Sequence, residues 1–108
     1  MKRLPPAIKE KERYLKFRVR TDGDPGFGDV VDAIWDSALD YLGSKNVSEA
    51  DFWIVKNRFD SENMTGVLKV NRDSEQDMRA ALALVDTVGG DKGSISVEKT
   101  SGSIKKLD

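Results

Sequence analysis

The sequence predicts an α+β domain in which two helices cover one face of a four-stranded antiparallel sheet. Three observations support this fold class. Apolar and polar residues alternate in runs near both ends of the chain, helical apolar spacing occurs twice, and a short loop joins two β-rich runs in the middle. At 108 residues the chain can bury one core, so residues 1–108 are expected to form a single domain.

The chain begins with a basic arm, residues 1–12, which contains two prolines that exclude it from a strand interior. We expect this arm to be loose until it binds a partner. The run RYLKFRVR then alternates apolar residues with mostly basic ones, which predicts the first strand. Turn residues in TDGDPGFG follow, and apolar residues recur at helical spacing up to Gly43, which predicts a helix over residues 28–42.

The second half of the chain repeats the strand and helix signals. FWIVKNRF and TGVLKVNR predict two strands, and the short loop DSENM between them predicts an antiparallel hairpin. Asp73 or Ser74 is expected to cap a second helix, Gly89 and Gly90 to end it, and SISVEKT to form the last strand. The resulting order, βαββαβ, is that of ferredoxin-like and RNA-recognition-type domains, which leave the second sheet face open.

Charge is distributed unevenly along a chain whose net charge is −1. The first twenty residues hold eight basic and two acidic side chains, whereas residues 21–91 hold six basic and fifteen acidic ones. From Lys92 onward the balance returns to two positive charges. Basic ends of this kind predict binding to a polyanion such as a nucleic acid, because neutralised phosphates release their counterions.

The composition excludes several classes of enzyme. The chain has no cysteine and no histidine, so thiolate and imidazole metal sites, thiol nucleophiles and histidine general bases are absent. No apolar run approaches the roughly 20 residues of a membrane span. We therefore expect a cytoplasmic protein with no membrane partner, no catalytic residue and no cofactor or metal of its own.

A basic stripe is predicted on the outer face of the first strand. Lys16, Arg18 and Arg20 would lie about 7 Å apart, which suits contacts along a phosphate backbone. The alternative is an ordinary solvated strand face, on which lysines protect against aggregation.

Aromatic platforms of the RNA-recognition type are not predicted. The third strand places Val67, Leu68 and Val70 where base-stacking rings would be required, so generic stacking of unpaired bases is disfavoured. Tyr14 is the single ring predicted on the open face of the first strand, and a lone tyrosine there is more typical of cross-strand packing.

The predicted hairpin carries more apolar residues than a sheet with one solvated face requires. One explanation is a protein interface on the open face, and the other is burial by the arm or the tail. The apolar interface candidates are Trp53, Val55, Val67 and Leu68.

An acidic stripe, Asp29, Asp32, Asp36 and Asp40, follows the first predicted helix. It spans about 16 Å of helix, too far for four carboxylates to meet at two metal ions about 4 Å apart. The simplest interpretation is a solvated helix face, and the second is a docking surface for a basic partner.

Three segments in the same order, MKRLPP…RYLKFRV, MRAALALVDTVGG and SVEKTSGSIKK, resemble the family of protein component 2 of archaeal ribonuclease P. The resemblance spans nearly the whole chain and implies a ferredoxin-like subunit that takes part in removing the 5′ leader from precursor tRNA. It also implies that the RNA and its bound magnesium perform the hydrolysis. The partners it implies are ribonuclease P RNA, precursor tRNA indirectly, and a barrel-shaped protein subunit, with self-association into a heterotetramer.

The family pattern further implies that Arg13, Arg79 and the Ser101–Gly102 turn are available to RNA. With the arm, the stripe and the basic tail (residues 100–108), the expected RNA-binding residues are Arg3, Lys9, Lys11, Arg13, Lys16, Arg18, Arg20, Arg79, Lys99, Ser101, Gly102, Lys105 and Lys106.

Two rival functions are compatible with the predicted topology. A hydrolase of the acylphosphatase kind would need an arginine in the phosphate-cradling loop after the first strand, and TDGDPGFG has none. A ligand-sensing or RNA-binding module outside ribonuclease P would be distinguished by stabilisation with a small metabolite in place of affinity for that RNA.

Overall fold

The computed structural model describes residues 12–107 of the chain. The arm residues 1–11, with the predicted RNA contacts Arg3, Lys9 and Lys11, lie outside the described residues. The helices and strands are β1 (Glu12–Thr21), α1 (Phe27–Ala50), β2 (Trp53–Ile54), β3 (Thr65–Asn71), α2 (Glu75–Ala83), β4 (Thr87–Val88) and β5 (Asp91–Ser101). Short 3-10 helices occupy Lys56–Arg58, Arg72–Ser74 and Ile104–Leu107.

The sheet has five strands in the order β2-β3-β1-β5-β4, and every neighbouring pair is antiparallel. The predicted count of four strands is therefore wrong. The additional strand arises because α2 already ends at Ala83, and Gly89 and Gly90 form the turn between β4 and β5 instead of ending the helix. Both glycines have positive φ, 61° and 86°, which a two-residue hairpin turn requires and side-chain-bearing residues adopt only with strain.

The structure differs from the sequence prediction in two other places, within α1 and between α1 and β3. Gly43, with φ 79° and ψ 164°, interrupts α1 where its end was predicted, but the chain resumes a helical path to Ala50 because Val47 and Ala50 are buried. The predicted strand FWIVKNRF is reduced to Trp53–Ile54 and continues as a 3-10 helix.

The core lies between the helices and one face of the sheet. The apolar residues of β1 point toward it, as their alternation predicts, and both helices contribute to the same cluster, so both lie on one side of the sheet. Its central members are Leu15, Phe17 and Val19 of β1, Val30, Ile34 and Ala38 of α1, and Met78, Ala81 and Leu82 of α2. The hydroxyl of Ser37 donates to the carbonyl of Ala81 and joins the two helices.

The carboxylate of Asp60 stabilises the turn that connects β2 to β3. It accepts hydrogen bonds from the backbone N–H groups of Glu62 (2.9 Å) and Asn63 (3.2 Å) and from the Asn63 side-chain amide (2.8 Å). The Asn63 side chain is the main reason why the pKa of Asp60 lies below its ordinary value. The turn is therefore stabilised by the ionised form of Asp60.

We expect Asp60→Asn to lower the free energy of unfolding at neutral pH. In the variant, this free energy should also change less with pH in the acid range. Because the pKa is lowered in the folded state, the contribution of Asp60 is complete above the unfolded-state pKa and is lost as pH falls through the lowered value. Urea unfolding of the native chain and of the variant at pH 7 and in the acid range measures this. A stability difference that stays constant across that range would contradict the assignment.

Candidate nucleic-acid interface

The predicted basic stripe lies on the side of the sheet away from the helices, here called the open face. It does not present three equivalent cations. The Arg18 guanidinium donates to the Glu98 carboxylate at 2.6 Å and to the Asn63 carbonyl at 3.0 Å, and Arg20 donates to the Ser96 hydroxyl at 2.8 Å. Glu98 raises the pKa of Arg18, and Arg18 in turn lowers the pKa of Glu98. The positive charge of Arg18 is therefore largely compensated.

A β-bulge explains why sequence reasoning missed this ion pair. Lys16 lies opposite Lys99 and Phe17 lies opposite Val97, so Glu98 is an additional residue that the register skips. Simple alternation in SISVEKT does not reveal which side of the sheet such a residue occupies.

Four of the residues implied by the family pattern come together at one end of the sheet. Arg13 lies on the core side of β1, 3.7 Å from the Glu75 carboxylate at the start of α2. Arg79 is 3.8 Å from the same carboxylate and donates to the Thr100 hydroxyl at 2.7 Å. A cavity of about 430 Å³ opens beside them, here called the basic pocket. Its lining residues are Arg13, Thr100, Ser101, Gly102, Ser103 and Lys106.

Gly102 lets the end of the Arg13 side chain approach the backbone closely. A Cβ atom at Gly102 would lie 3.2 Å from Nη1 of Arg13, so the end of that side chain would have to shift by a few tenths of an ångström. The backbone N–H of Ser103 donates to the Ser101 hydroxyl and shapes the turn. Leu107, only 2% exposed, anchors the last 3-10 helix, which lies against β1 and β5 and leaves Lys105 and Lys106 exposed.

Glu75 and Thr100 are the organising residues that sequence reasoning missed. The spacing of Glu75 and Arg79, four residues apart on a helix, was an available signal. The contacts of Arg13 with Glu75 and of Arg79 with Thr100 join distant segments, so the sequence offered no local sign of them.

The apolar interface candidates separate into two groups. Leu68 is fully buried on the core side of β3, opposite Leu15, which corrects its assignment to an exposed interface. Trp53, by contrast, is 66% exposed. Val67 is only 5% exposed, so its assignment to an exposed interface is corrected as well. It lies beside Val55, whose N–H donates to the Val67 carbonyl.

The acidic stripe is exposed along α1. Asp29 also accepts a hydrogen bond from the N–H of Gly26 at 3.0 Å and so caps the helix. Beside the stripe, a groove of about 480 Å³ lies between α1 and the segment after α2, here called the acidic groove. Its residues include Asp36, Asp40, Tyr41, Leu84 and Asp86. Within residues 12–107, no group of three or more acidic side chains is placed to hold a metal ion.

No helix among the described residues has the length and apolar character that crossing a membrane requires.

Comparison with known proteins agrees with this architecture. The sequence pattern of the Rpp14/Pop5 family matches residues 13–108. The chain is 34% identical over 106 residues to ribonuclease P protein component 2 of Pyrococcus furiosus, covering 98% of this chain and 87% of that protein. It is 35% identical over 107 residues to the protein of the same name from Pyrococcus horikoshii, covering 99% and 88%.

A chain in the cryo-EM structure of yeast ribonuclease MRP aligns with a TM-score of 0.71 over 87% of this chain and 76% of that one. At 10% identity, this likeness shows a shared fold. Because the family pattern covers everything from β1 to the end of the chain, and the two archaeal proteins match along nearly their whole length, the chain belongs to the Rpp14/Pop5 family.

Proposed function

We propose that this chain is a protein subunit of ribonuclease P that supports the catalytic RNA as it removes the 5′ leader from precursor tRNA. The observation that carries the proposal is the match, along nearly the whole chain, to proteins named ribonuclease P protein component 2. In this proposal the holoenzyme is an endoribonuclease and the chain alone is non-catalytic, which agrees with its lack of histidine and cysteine.

The basic pocket is the best-organised phosphate site for this role. Glu75 holds Arg13 and Arg79 on either side of its carboxylate, and Lys106 adds a third cation at the rim. Guanidinium groups form strong, directional hydrogen bonds with phosphate oxygens. Lys105, the other lysine of the tail, would add a further phosphate contact. Binding here would lower phosphate repulsion in the RNA, whose own Mg²⁺ ions would perform the hydrolysis.

The protein partners of the proposed assembly would meet other surfaces. The acidic groove suits a basic surface of the barrel-shaped subunit, because its aspartates lie beside the exposed side chains of Tyr41 and Leu84. This chain and the barrel-shaped subunit would form a pair, and two such pairs would associate through this chain into a heterotetramer located in the cytoplasm. With β4 set aside, the order of strands and helices is βαββαβ, which supports the ferredoxin-like type.

Reconstitution of precursor-tRNA cleavage tests the role. The catalytic RNA and the other protein subunits are assembled with and without this chain, and the initial rate is measured against Mg²⁺ concentration. We expect the chain to lower the Mg²⁺ concentration at half-maximal rate, because it screens phosphates that Mg²⁺ would otherwise neutralise. An unchanged requirement would contradict the supporting role, and cleavage by the chain alone would contradict its non-catalytic character.

A further inference from the structure

The open face carries a row of two aromatic rings on either side of a lysine. Trp53 of β2 lies opposite Lys69 of β3, and Lys69 lies opposite Tyr14 of β1. Residues directly opposite on adjacent strands project to the same side of a sheet, so the three side chains share the open face. The backbones that carry the two rings are two strand spacings apart, about 10 Å. From the sequence, Tyr14 was the single ring expected on this face of β1, and Trp53 was a candidate for a protein interface on the open face.

The next row contains a pair of like charges. Lys16 and Lys99 are directly opposite each other on β1 and β5, an arrangement that destabilises a sheet. Among residues 12–107, neither lysine makes a side-chain hydrogen bond or ion pair. Two nearby carboxylates already have closer partners, since Glu98 binds Arg18 and Asp60 binds Asn63. An anion between the two lysines would relieve their repulsion.

The chemistry of the two rows favours RNA over a protein as the occupant. Lysine is depleted in the cores of protein interfaces, yet here Lys69 lies between the rings, and Lys16 and Lys99 occupy the next row. Lys69 is also held in place by Glu12, at 2.7 Å. An unpaired RNA strand supplies both phosphates for the lysines and exposed bases for the rings, whereas a duplex keeps its bases stacked inside.

We propose that the open face binds an unpaired segment of RNA, with bases stacked on Trp53 and Tyr14 and a phosphate between Lys16 and Lys99. The proposal deepens the proposed function, on which it rests, by adding base stacking to an interaction that otherwise involves phosphates alone. It also reverses the expectation, drawn from the third strand, that stacking on this sheet is disfavoured.

Binding of a short, unstructured oligoribonucleotide to the isolated full-length chain tests the proposal. Affinity is measured by fluorescence anisotropy at low salt, with an RNA duplex of the same length for comparison. We expect the native chain to prefer the single strand and Trp53→Ala to weaken its binding about 5- to 150-fold. Trp53→Phe, which keeps a ring, should retain most of the affinity.

The matched control is Tyr41→Ala, which removes another exposed ring, 51% exposed and located on α1.

A second pair of variants tests the lysines. Replacing Lys16 and Lys99 by glutamine should reduce the salt slope of single-strand binding by about 0.7 for each phosphate that the variant no longer neutralises. Lys92→Gln, an exposed lysine at the far end of β5, should leave the slope unchanged.

Two outcomes would overturn the proposal. One is an equal effect of Trp53→Ala and Tyr41→Ala on single-strand affinity. The other is a Trp53→Ala variant that binds the oligonucleotide normally but no longer associates with the protein subunits of ribonuclease P, which would assign the open face to a protein partner. Either result would leave the reconstitution test of the proposed function unaffected, so the two failures can be told apart.

Discussion

Replacing Arg13 and Arg79 together by glutamine is expected to weaken binding of ribonuclease P RNA by about tenfold or more for each guanidinium, because hydrogen bonds to charged groups contribute about 1.5–3 kcal/mol. Arg13 lines the basic pocket and shares the Glu75 carboxylate with Arg79, so the two guanidinium groups lie close enough together to act on one segment of RNA backbone. The salt slope of binding should fall by about two, one for each cation removed.

Filter binding or anisotropy across a salt series measures both quantities. The control variant replaces Lys45 and Lys92, two exposed lysines outside the basic pocket, and so removes the same net charge. If the two double variants lose equal affinity, the effect reflects total charge alone and the basic pocket is not a specific phosphate site. Circular dichroism checks that the Arg13 and Arg79 variant retains its secondary structure.

Gly66→Ala is expected to destabilise the fold by about 1–3 kcal/mol, the usual cost of overpacking a core. Gly66 lies opposite Phe17, which is fully buried, and a Cβ atom at position 66 would lie 2.5 Å from Cζ of that ring. The backbone of Gly66 does not have the positive φ that would itself demand glycine, so the expected cost is steric. Urea unfolding measures the change.

A double-mutant cycle identifies the ring as the cause. Phe17→Ala alone should cost about 3–5 kcal/mol, since it leaves a cavity in the centre of the core. With the ring removed, Gly66→Ala should cost much less than in the native background. Gly28→Ala is the control, because a Cβ there meets nothing within 4 Å and alanine is the better helix former. Equal costs of Gly66→Ala in both backgrounds would contradict the steric explanation.

The family resemblance inferred from three sequence segments is confirmed by the match to residues 13–108. The alternation in β1 correctly predicted which side of that strand faces the core, and helical spacing located α1 and α2. These features depend on residues close together in the chain, where one repeating pattern of burial determines the local conformation. The lack of histidine and cysteine was also readable directly from composition.

Only the tertiary structure decided which charged and aromatic groups meet. The bulge that places Glu98 against Arg18, the shared position of Arg13 and Arg79 around Glu75, and the exposure of Trp53 beside the lysines all depend on strand register and helix docking. Register is determined by packing across the whole sheet, and a shift of one residue moves a side chain to the opposite face. A single sequence therefore predicts the elements of this fold but not the surfaces that they build together.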